Sequence, residues 1–162
     1  VGRLSEQARE EIAEVRRLVD GLRPPALDQF GLVAALRHRA DEDTVIARHP
    51  GSERMSWSVD ADDDVEPLSA AVEVAAYLIV VEAVTNAQRY SRASAIEISA
   101  VMGHRVLDIT IADDGVGGAS EVMSSGLQGL RDRVEAIGGT FELESPQGQG
   151  TRVTAAIPAM AA

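Results

Sequence analysis

The 162-residue sequence contains no cysteine and no lysine. Without cysteine there are no disulfides, no thiolate-bound zinc and no thiol nucleophile. All 15 basic residues are arginine. That excludes the phosphate-cradling lysine of a Walker A loop, the strand lysine of the protein kinases and Schiff-base chemistry. A nucleotide, if bound, must be held by another route. Positive charge is also scarce: 26 acidic against 15 basic side chains give a formal charge of -11. Such a surface repels a polyphosphate backbone, so no nucleic-acid partner is expected. Long apolar runs are missing as well. The most apolar stretch, Val74 to Val81, is bracketed by Glu73 and Glu82 and is too short to cross a bilayer.

What is present fits one globular domain with a short appendage: 45% hydrophobic and 25% charged residues are an ordinary folded composition. The sequence opens on Val1 and its first methionine is Met55, so we expect a piece of a longer protein. Leu4, Ala8, Ile12, Val15, Val19 and Leu22 recur at steps of three and four, the apolar stripe of an amphipathic helix. One narrow stripe needs a partner, and we read it as part of an antiparallel bundle continuing upstream. The helix ends at Gly21-Leu22-Arg23-Pro24-Pro25, where paired prolines set a stiff, extended joint. A short helix from Leu32 to Ala40 follows.

Residues 41–66 read as polar and irregular, with one strand-like alternation at Met55 to Val59 and a solvated acidic run from Asp60 to Glu66. A long, mostly buried helix is predicted from about Leu68 to Tyr90. Strands are predicted at Ala95 to Val101 and Val106 to Ala112, joined by a turn at Gly103-His104-Arg105. A Gly/Ser-rich loop from Asp114 to Ser125 leads to a helix from about Leu127 to Ile137, stopped by Gly138-Gly139. Two last strands, Thr140 to Glu144 and Thr151 to Ile157, flank a turn. The order implies an α+β fold, a two-layer sandwich with helices on one face of a mixed, mainly antiparallel sheet.

Four segments carry chemistry. In the first, Glu82-Ala-Val-Thr-Asn86-Ala-Gln-Arg89-Tyr90-Ser91, the acid and the amide share a helix face. Polar groups on an Ala/Val-rich helix are costly to bury without a task. Asn86 suits a hard cation and Arg89 a phosphate, although a helix cap and a solvated arginine explain the segment alone equally well. In the second, Asp113-Asp114-Gly115-Val116-Gly117, a carboxylate at a strand end can accept from an exocyclic amine, and glycines allow close backbone approach. An ordinary turn is the plain alternative. The third, Gly126-Leu127-Gln128-Gly129, opens a helix whose free N–H groups favour phosphate. The fourth is Gly148-Gln149-Gly150-Thr151, by itself a hairpin.

Each segment alone is ambiguous, but their ordered set resembles the Bergerat-fold ATPases with the histidine-kinase type of ATP-binding domain. The resemblance runs from about Leu32 to Pro158. Its N box falls on Glu82, Asn86, Arg89, Tyr90 and Ser91, and its glycine boxes on Asp113, Gly115 and Gly117, on Gly126, Leu127 and Gly129, and on Gly148 to Thr151. The preceding residues, Glu14 to Leu18, Leu22 to Leu27, Phe30 to Leu32 and Ala35-Leu36, resemble the NarL-type sensor kinases. That class has a compact dimerisation bundle and response regulators that bear a DNA-binding helix-turn-helix. The short Gly118–Ser125 loop without phenylalanine is also similar to that class. The implied domains are residues 1–30, the end of a dimerisation helix with its Leu-Arg-Pro linker, and 31–160, the ATP-binding catalytic domain.

The resemblance implies ATP and Mg²⁺ as ligands, with ATP between the sheet and a Gly118–Ser125 lid. Asp113 would receive the adenine amine, and Thr151 would orient Asp113 or a bridging water. Asn86 would hold Mg²⁺, Glu82 would belong to the catalytic group, and Arg89 and Tyr90 would contact the phosphates. Gly115, Gly117, Gly126, Leu127 and Gly129 would shape the nucleotide site. The implied partners are a homodimeric dimerisation domain carrying the acceptor histidine, and a response regulator. The domain would be cytoplasmic, with any membrane anchor in missing regions. An acceptor histidine followed by an acid is not found: His38 precedes Arg39, His49 precedes Pro50 and His104 precedes Arg105. We therefore expect ATP binding without autophosphorylation, and no dimer of the chain alone. Two rivals remain open: an ATP-hydrolysing relative in which Glu82 activates water, and an anti-sigma-like partner-binding module.

Overall fold

The computed structural model describes residues 24–46, 55–62, 67–119 and 125–161. The helix expected over Leu4 to Leu22, its Leu22-Arg23 exit, His49 and most of the acidic run ending at Glu66 lie outside the described residues.

Pro24 is extended (φ -57°, ψ 130°), while Pro25 opens a short helix, α1 (Pro25–Phe30). Proline suits that first helical position, where its missing N–H has no intrahelical acceptor. The joint is thus shorter than the paired prolines suggest. Leu27 is only 2% exposed and belongs to the main core, so α1 packs with the body. Gly31, at φ 76°, turns the chain into α2 (Leu32–Ile46). This helix runs past the expected Ala40, because Arg39 and Asp43 face each other one turn apart at 3.4 Å. Asp43 also accepts from the Trp57 indole N–H at 2.9 Å, which fastens α2 to strand β1 (Ser56–Ala61).

The long helix α3 (Ala70–Asn86) is capped by Ser69, whose hydroxyl accepts from the Val72 amide. It passes into a π-helical turn, Ala87–Ser91, and Arg92 then leaves in the left-handed conformation at φ 52°. Counted together, Ala70–Ser91 is 22 residues and holds an 18-residue window of mean hydropathy 1.5, long and apolar enough to cross a membrane by length and composition. Its apolarity has a local use, since Val72, Ala76, Ile79, Val80, Ala83 and Val84 form the middle of the core.

The remaining elements are β2 (Ala95–Gly103), β3 (Val106–Asp113), α4 (Ser125–Ala136), β4 (Thr140–Glu144) and β5 (Thr151–Pro158). They build a five-stranded sheet in the order β1-β2-β3-β5-β4. Only β1 and β2 run parallel. Alternate residues, among them Ile96, Ile98, Leu107, Ile109, Val153 and Ala155, are buried in the core. On the other side Glu97, Val101, Asp108, Glu142 and Arg152 are exposed. This period-two pattern puts α2, α3 and α4 on one face, the two-layer arrangement expected. Register brings the end of β3 and the starts of β2 and β5 to one edge, because Asp113 pairs with both Ile96 and Thr151.

The β2–β3 hairpin turns on two residues with positive φ, His104 at 51° and Arg105 at 65°. Gly103 instead ends the ladder opposite Val106. The left-handed region costs a residue with a Cβ about 1–2 kcal/mol, and an Asn-Gly pair suits this turn. Replacing His104-Arg105 by Asn-Gly is expected to raise unfolding free energy by about 1–2 kcal/mol, read by urea denaturation with Trp57 fluorescence.

Candidate functional site

Three element ends meet at the edge of the sheet that carries Asp113. The end of α3 supplies Glu82 and Asn86. A methyl group placed on Gly126, in the first turn of α4, would stand 2.5 Å from Glu82 Oε1, 3.5 Å from Asn86 Nδ2 and 3.6 Å from Asn86 Oδ1. Both side chains therefore sit against the start of α4, where unpaired N–H groups and the helix dipole favour negative charge. Asn86 Nδ2 is buried and has no hydrogen-bond partner. A buried amide left unpaired costs about 1–3 kcal/mol, so a ligand that engages it recovers that cost.

Asp113 ends β3. Its Oδ1 accepts from the Gly115 amide at 2.8 Å. Burial pushes its carboxyl above the usual carboxylate range, and the Asp114 charge adds to this; the Gly115 and Thr151 backbone groups pull it partly back. Asp114 plays another part. Its carboxylate accepts from the Ser94 and Ala95 amides at 2.8 and 3.0 Å and from the Ser94 hydroxyl. These bonds, the Ser94 hydroxyl foremost, hold its carboxyl below the usual range. Asp114 thus ties the glycine loop to the segment following the π-helical turn.

The loop glycines explain how the two halves are held together. A side chain on Gly115 would overlap the Ser91 carbonyl and stand 2.9 Å from Asp113 Oδ1, while the next residue, Val116, donates its amide to that carbonyl at 2.7 Å. Ser91 itself is buried and donates to the Ala87 carbonyl across the π-helical turn at 2.7 Å. Gly117, at φ 66°, lies against the Pro146 carbonyl. The close approaches that these two glycines permit are therefore to protein.

The remaining predicted residues are placed unequally. Arg89 and Tyr90 lie on the π-helical turn directly after Asn86 and are exposed, Tyr90 by 72%. Leu127 is 4% exposed and belongs to the core, so its side chain packs and only its backbone faces the α4 start. Gly129 has open space where a Cβ would stand. Thr151 is paired in register with Asp113, while its hydroxyl meets that of Ser145 at 2.6 Å. Residues 120–124 of the expected lid lie outside the described residues. Sequence reasoning passed over Asp114, Ser145 and Ser91's carbonyl as organisers. Two adjacent acids at a strand end were the available signal for Asp114.

A cavity of about 540 Å³, lined by Arg105, Ala136, Ile137, Pro158 and Met160 among others, lies at the opposite end of the strands from Asp113. Its lining offers one charged side chain and none of the four motifs. Residues 71–161 match the family described as histidine kinase-, DNA gyrase B- and HSP90-like ATPase. The chain belongs to this ATPase family. Its relatives within this family include sensor kinases. The chain is 32% identical over 146 residues to the signal transduction histidine-protein kinase/phosphatase UhpB of Salmonella typhimurium, covering 89% of this chain and 28% of that protein. It is 29% identical over 150 residues to the sensor histidine kinase LiaS of Bacillus subtilis, covering 90% and 39%. The oxygen sensor histidine kinase NreB of Staphylococcus carnosus is 27% identical over 151 residues, covering 91% and 42%. The chain therefore spans less than half the length of these relatives.

The ATPase fold is shared with the histidine kinase domain of the blue-light activated kinase from Erythrobacter litoralis EL346, with a TM-score of 0.64 at 24% identity over 79% of this chain and 61% of that one. The Acinetobacter baumannii histidine kinase AdeS gives a TM-score of 0.61 at 20% identity, covering 96% and 84%. The α+β sandwich read from the sequence is that of a histidine-kinase catalytic domain, and this ATPase family binds ATP.

Because Asp114 is stabilised as a carboxylate by folding, its contribution is full above the ordinary carboxylate value and vanishes as pH falls through its lowered folded value. Asp114→Ala is expected to lower the thermal midpoint at neutral pH, with the difference from the parent closing in strong acid. A midpoint difference that does not change with pH would contradict this role.

Proposed function

We propose that this catalytic domain presents Mg-ATP for transfer of the γ-phosphoryl group to a histidine on a dimerisation domain, from which the group passes to a response regulator. The observation that carries the reading is the unpartnered buried Asn86 amide, set with Glu82 against the first turn of α4. It lies at the same end of the molecule as the Asp113 carboxylate. An acceptor for an exocyclic amine and a cradle for phosphate thus occupy one edge. The sensor-kinase relatives support the assignment to signalling rather than to the gyrase or HSP90 branches.

In this reading Asp113 accepts from the adenine amine and selects the base, while Gly115 and Thr151 hold its carboxylate in place. The α4 N-terminus, entered through Gly126 and Leu127, faces the phosphates. Arg89 and Tyr90, exposed beside Asn86, reach them from the π-helical turn. The Asn86 Oδ1 is a hard oxygen suited to a cation, while the unpartnered Nδ2 is a donor that a phosphate oxygen would engage. Asn86 would therefore hold Mg²⁺ through Oδ1 jointly with the phosphates, with Glu82 beside it. A bound Mg²⁺ neutralises phosphate charge, and the protein contributes mostly positioning.

No acceptor for the phosphoryl group faces this edge among the described residues. His38 is exposed on α2, stacks on Phe30 with centroids 5.6 Å apart and lies 3.7 Å from Glu42. His104 sits in the hairpin turn at the far end of the strands. The chain incubated with radiolabelled Mg-ATP is expected to bind nucleotide yet acquire no acid-labile phosphate. Phosphate on His38 would contradict this. Steady ATP turnover abolished by Glu82→Ala would instead favour the hydrolase rival.

Asp113→Asn is expected to weaken Mg-ATP binding about ten- to hundredfold, the loss of one charge-assisted hydrogen bond of about 1.5–3 kcal/mol. The carboxyl is pushed up in the fold, so it costs stability increasingly as pH rises above the ordinary carboxylate value. The same substitution is therefore expected to raise the thermal midpoint at neutral pH. Calorimetric titration and thermal unfolding check the pair, and unchanged ATP affinity would overturn the role of Asp113.

A further inference from the structure

The turn between β4 and β5 grips the glycine loop with more contacts than a hairpin connection requires. The Gly118 amide donates to the Ser145 carbonyl at 2.8 Å, and the Gly148 amide donates to the Val116 carbonyl at 2.6 Å. The Ala119 amide donates to the Ser145 hydroxyl oxygen at 2.9 Å. That hydroxyl also pairs with the Thr151 hydroxyl at 2.6 Å. A hydroxyl offers one donor and two acceptor sites, so Ser145 can serve both partners at once.

These contacts close a ring. It runs from Asp113 to the Gly115 amide that binds its carboxylate, along the loop to Gly118 and Ala119, and through Ser145 to Thr151. Thr151 returns to Asp113 as its register partner on the neighbouring strand. Ser145 is where the loop and strand paths join through a side chain. Its backbone lies outside the β4–β5 ladder, which ends at Glu144 opposite Arg152, so the hydroxyl is the group that the two paths share.

We propose that Ser145 is a positioning residue for base recognition: its hydroxyl locks the Gly115–Ala119 loop to Thr151 and thereby fixes the Asp113 carboxylate where it meets the purine 6-substituent. The proposal rests on the nucleotide reading above. Removing the hydroxyl leaves the Ala119 amide and the Thr151 hydroxyl without their shared partner, so that only the backbone bonds of Gly118 to Ser145 and Gly148 to Val116 still hold the loop to this turn, and the side-chain link from the loop to Thr151 is lost. The consequence falls on discrimination between a 6-amino and a 6-oxo purine, more than on the phosphate contacts at Asn86 and α4.

The test is equilibrium titration of the full 162-residue chain with Mg-ATP and Mg-ITP, for the parent, Ser145→Ala, Ser145→Thr and Asp113→Asn, with thermal midpoints recorded alongside. Ser145→Ala is expected to weaken ATP about two- to tenfold, as for one neutral hydrogen bond, and to shrink the ATP-over-ITP preference by a similar factor. Ser145→Thr, which keeps a hydroxyl, is expected to restore both. If Ser145→Ala weakens ATP and ITP equally with a lowered midpoint, the residue is merely structural and the proposal falls. If Asp113→Asn loses ATP while Ser145→Ala keeps the parental affinity and preference, this proposal alone is overturned. A parent chain that binds no ATP would sink this proposal and the nucleotide reading together.

Discussion

Gly115 has no room for a side chain, because the Ser91 carbonyl and the Asp113 carboxylate occupy the space. This crowding is the constraint on which the site depends. The turn ending α3 and the loop leaving β3 are distant in sequence, and each would be ordinary alone. Pressed together, with the Val116 amide bound to Ser91, they keep the Asp113 carboxylate at a set displacement from Asn86 one short turn earlier. Ser91 can present its carbonyl this way because the chain widens into a π-helical turn that its own hydroxyl closes onto Ala87. Single π turns interrupt α-helices at functional sites often enough to count as a device.

The apolar body serves that edge. An Ala/Val/Ile-rich α3 lies on the sheet with Val72, Ile79 and Val80 buried, and the burial of such side chains is the main favourable term in folding. Apart from Glu73 in its first turn, the helix carries its acid and amide side chains in its last turns, where Glu82 and Asn86 come against the start of α4. Asp113 is half-buried and pushed up, while Asp114 beside it is exposed and pulled down. Two adjacent carboxylates thus differ in their setting: one is held at some expense of stability where the proposed base recognition would use it, the other anchors the loop.

Much of this was legible in the sequence, and the reasons are physical. The period-two alternation of Ala95 to Gly103 and Val106 to Asp113 marks strands with one buried face, and the glycines after Ile137 stop α4 where the sequence says they should. The extent of α2 was less visible, since Arg39, Asp43 and Trp57 contact one another only after β1 is in place. The hairpin turn falls within the expected Gly103-His104-Arg105, but its left-handed positions were less visible. Glycine at 103 attracts the eye, yet His104 and Arg105 take the left-handed positions because strand register leaves two residues to turn on. For the site, residue types and order pointed to the ATPase family, but not to what each glycine does. Gly115 and Gly117 press against Ser91 and Pro146, contacts between segments that no local pattern reports.

In the proposed reading the ends of α3 and β3 and the start of α4 form one nucleotide site, and a two-dimensional NMR titration with Mg-ATP that follows the Asn86 side-chain amide together with the Gly115 and Gly126 backbone amides tests it. All three signals are expected to shift along one binding curve with a common dissociation constant, while the amides of Arg105 and Met160 at the far end of the strands stay in place. Shifts confined to that far end, or distinct curves for Asn86 and Gly115, would contradict it.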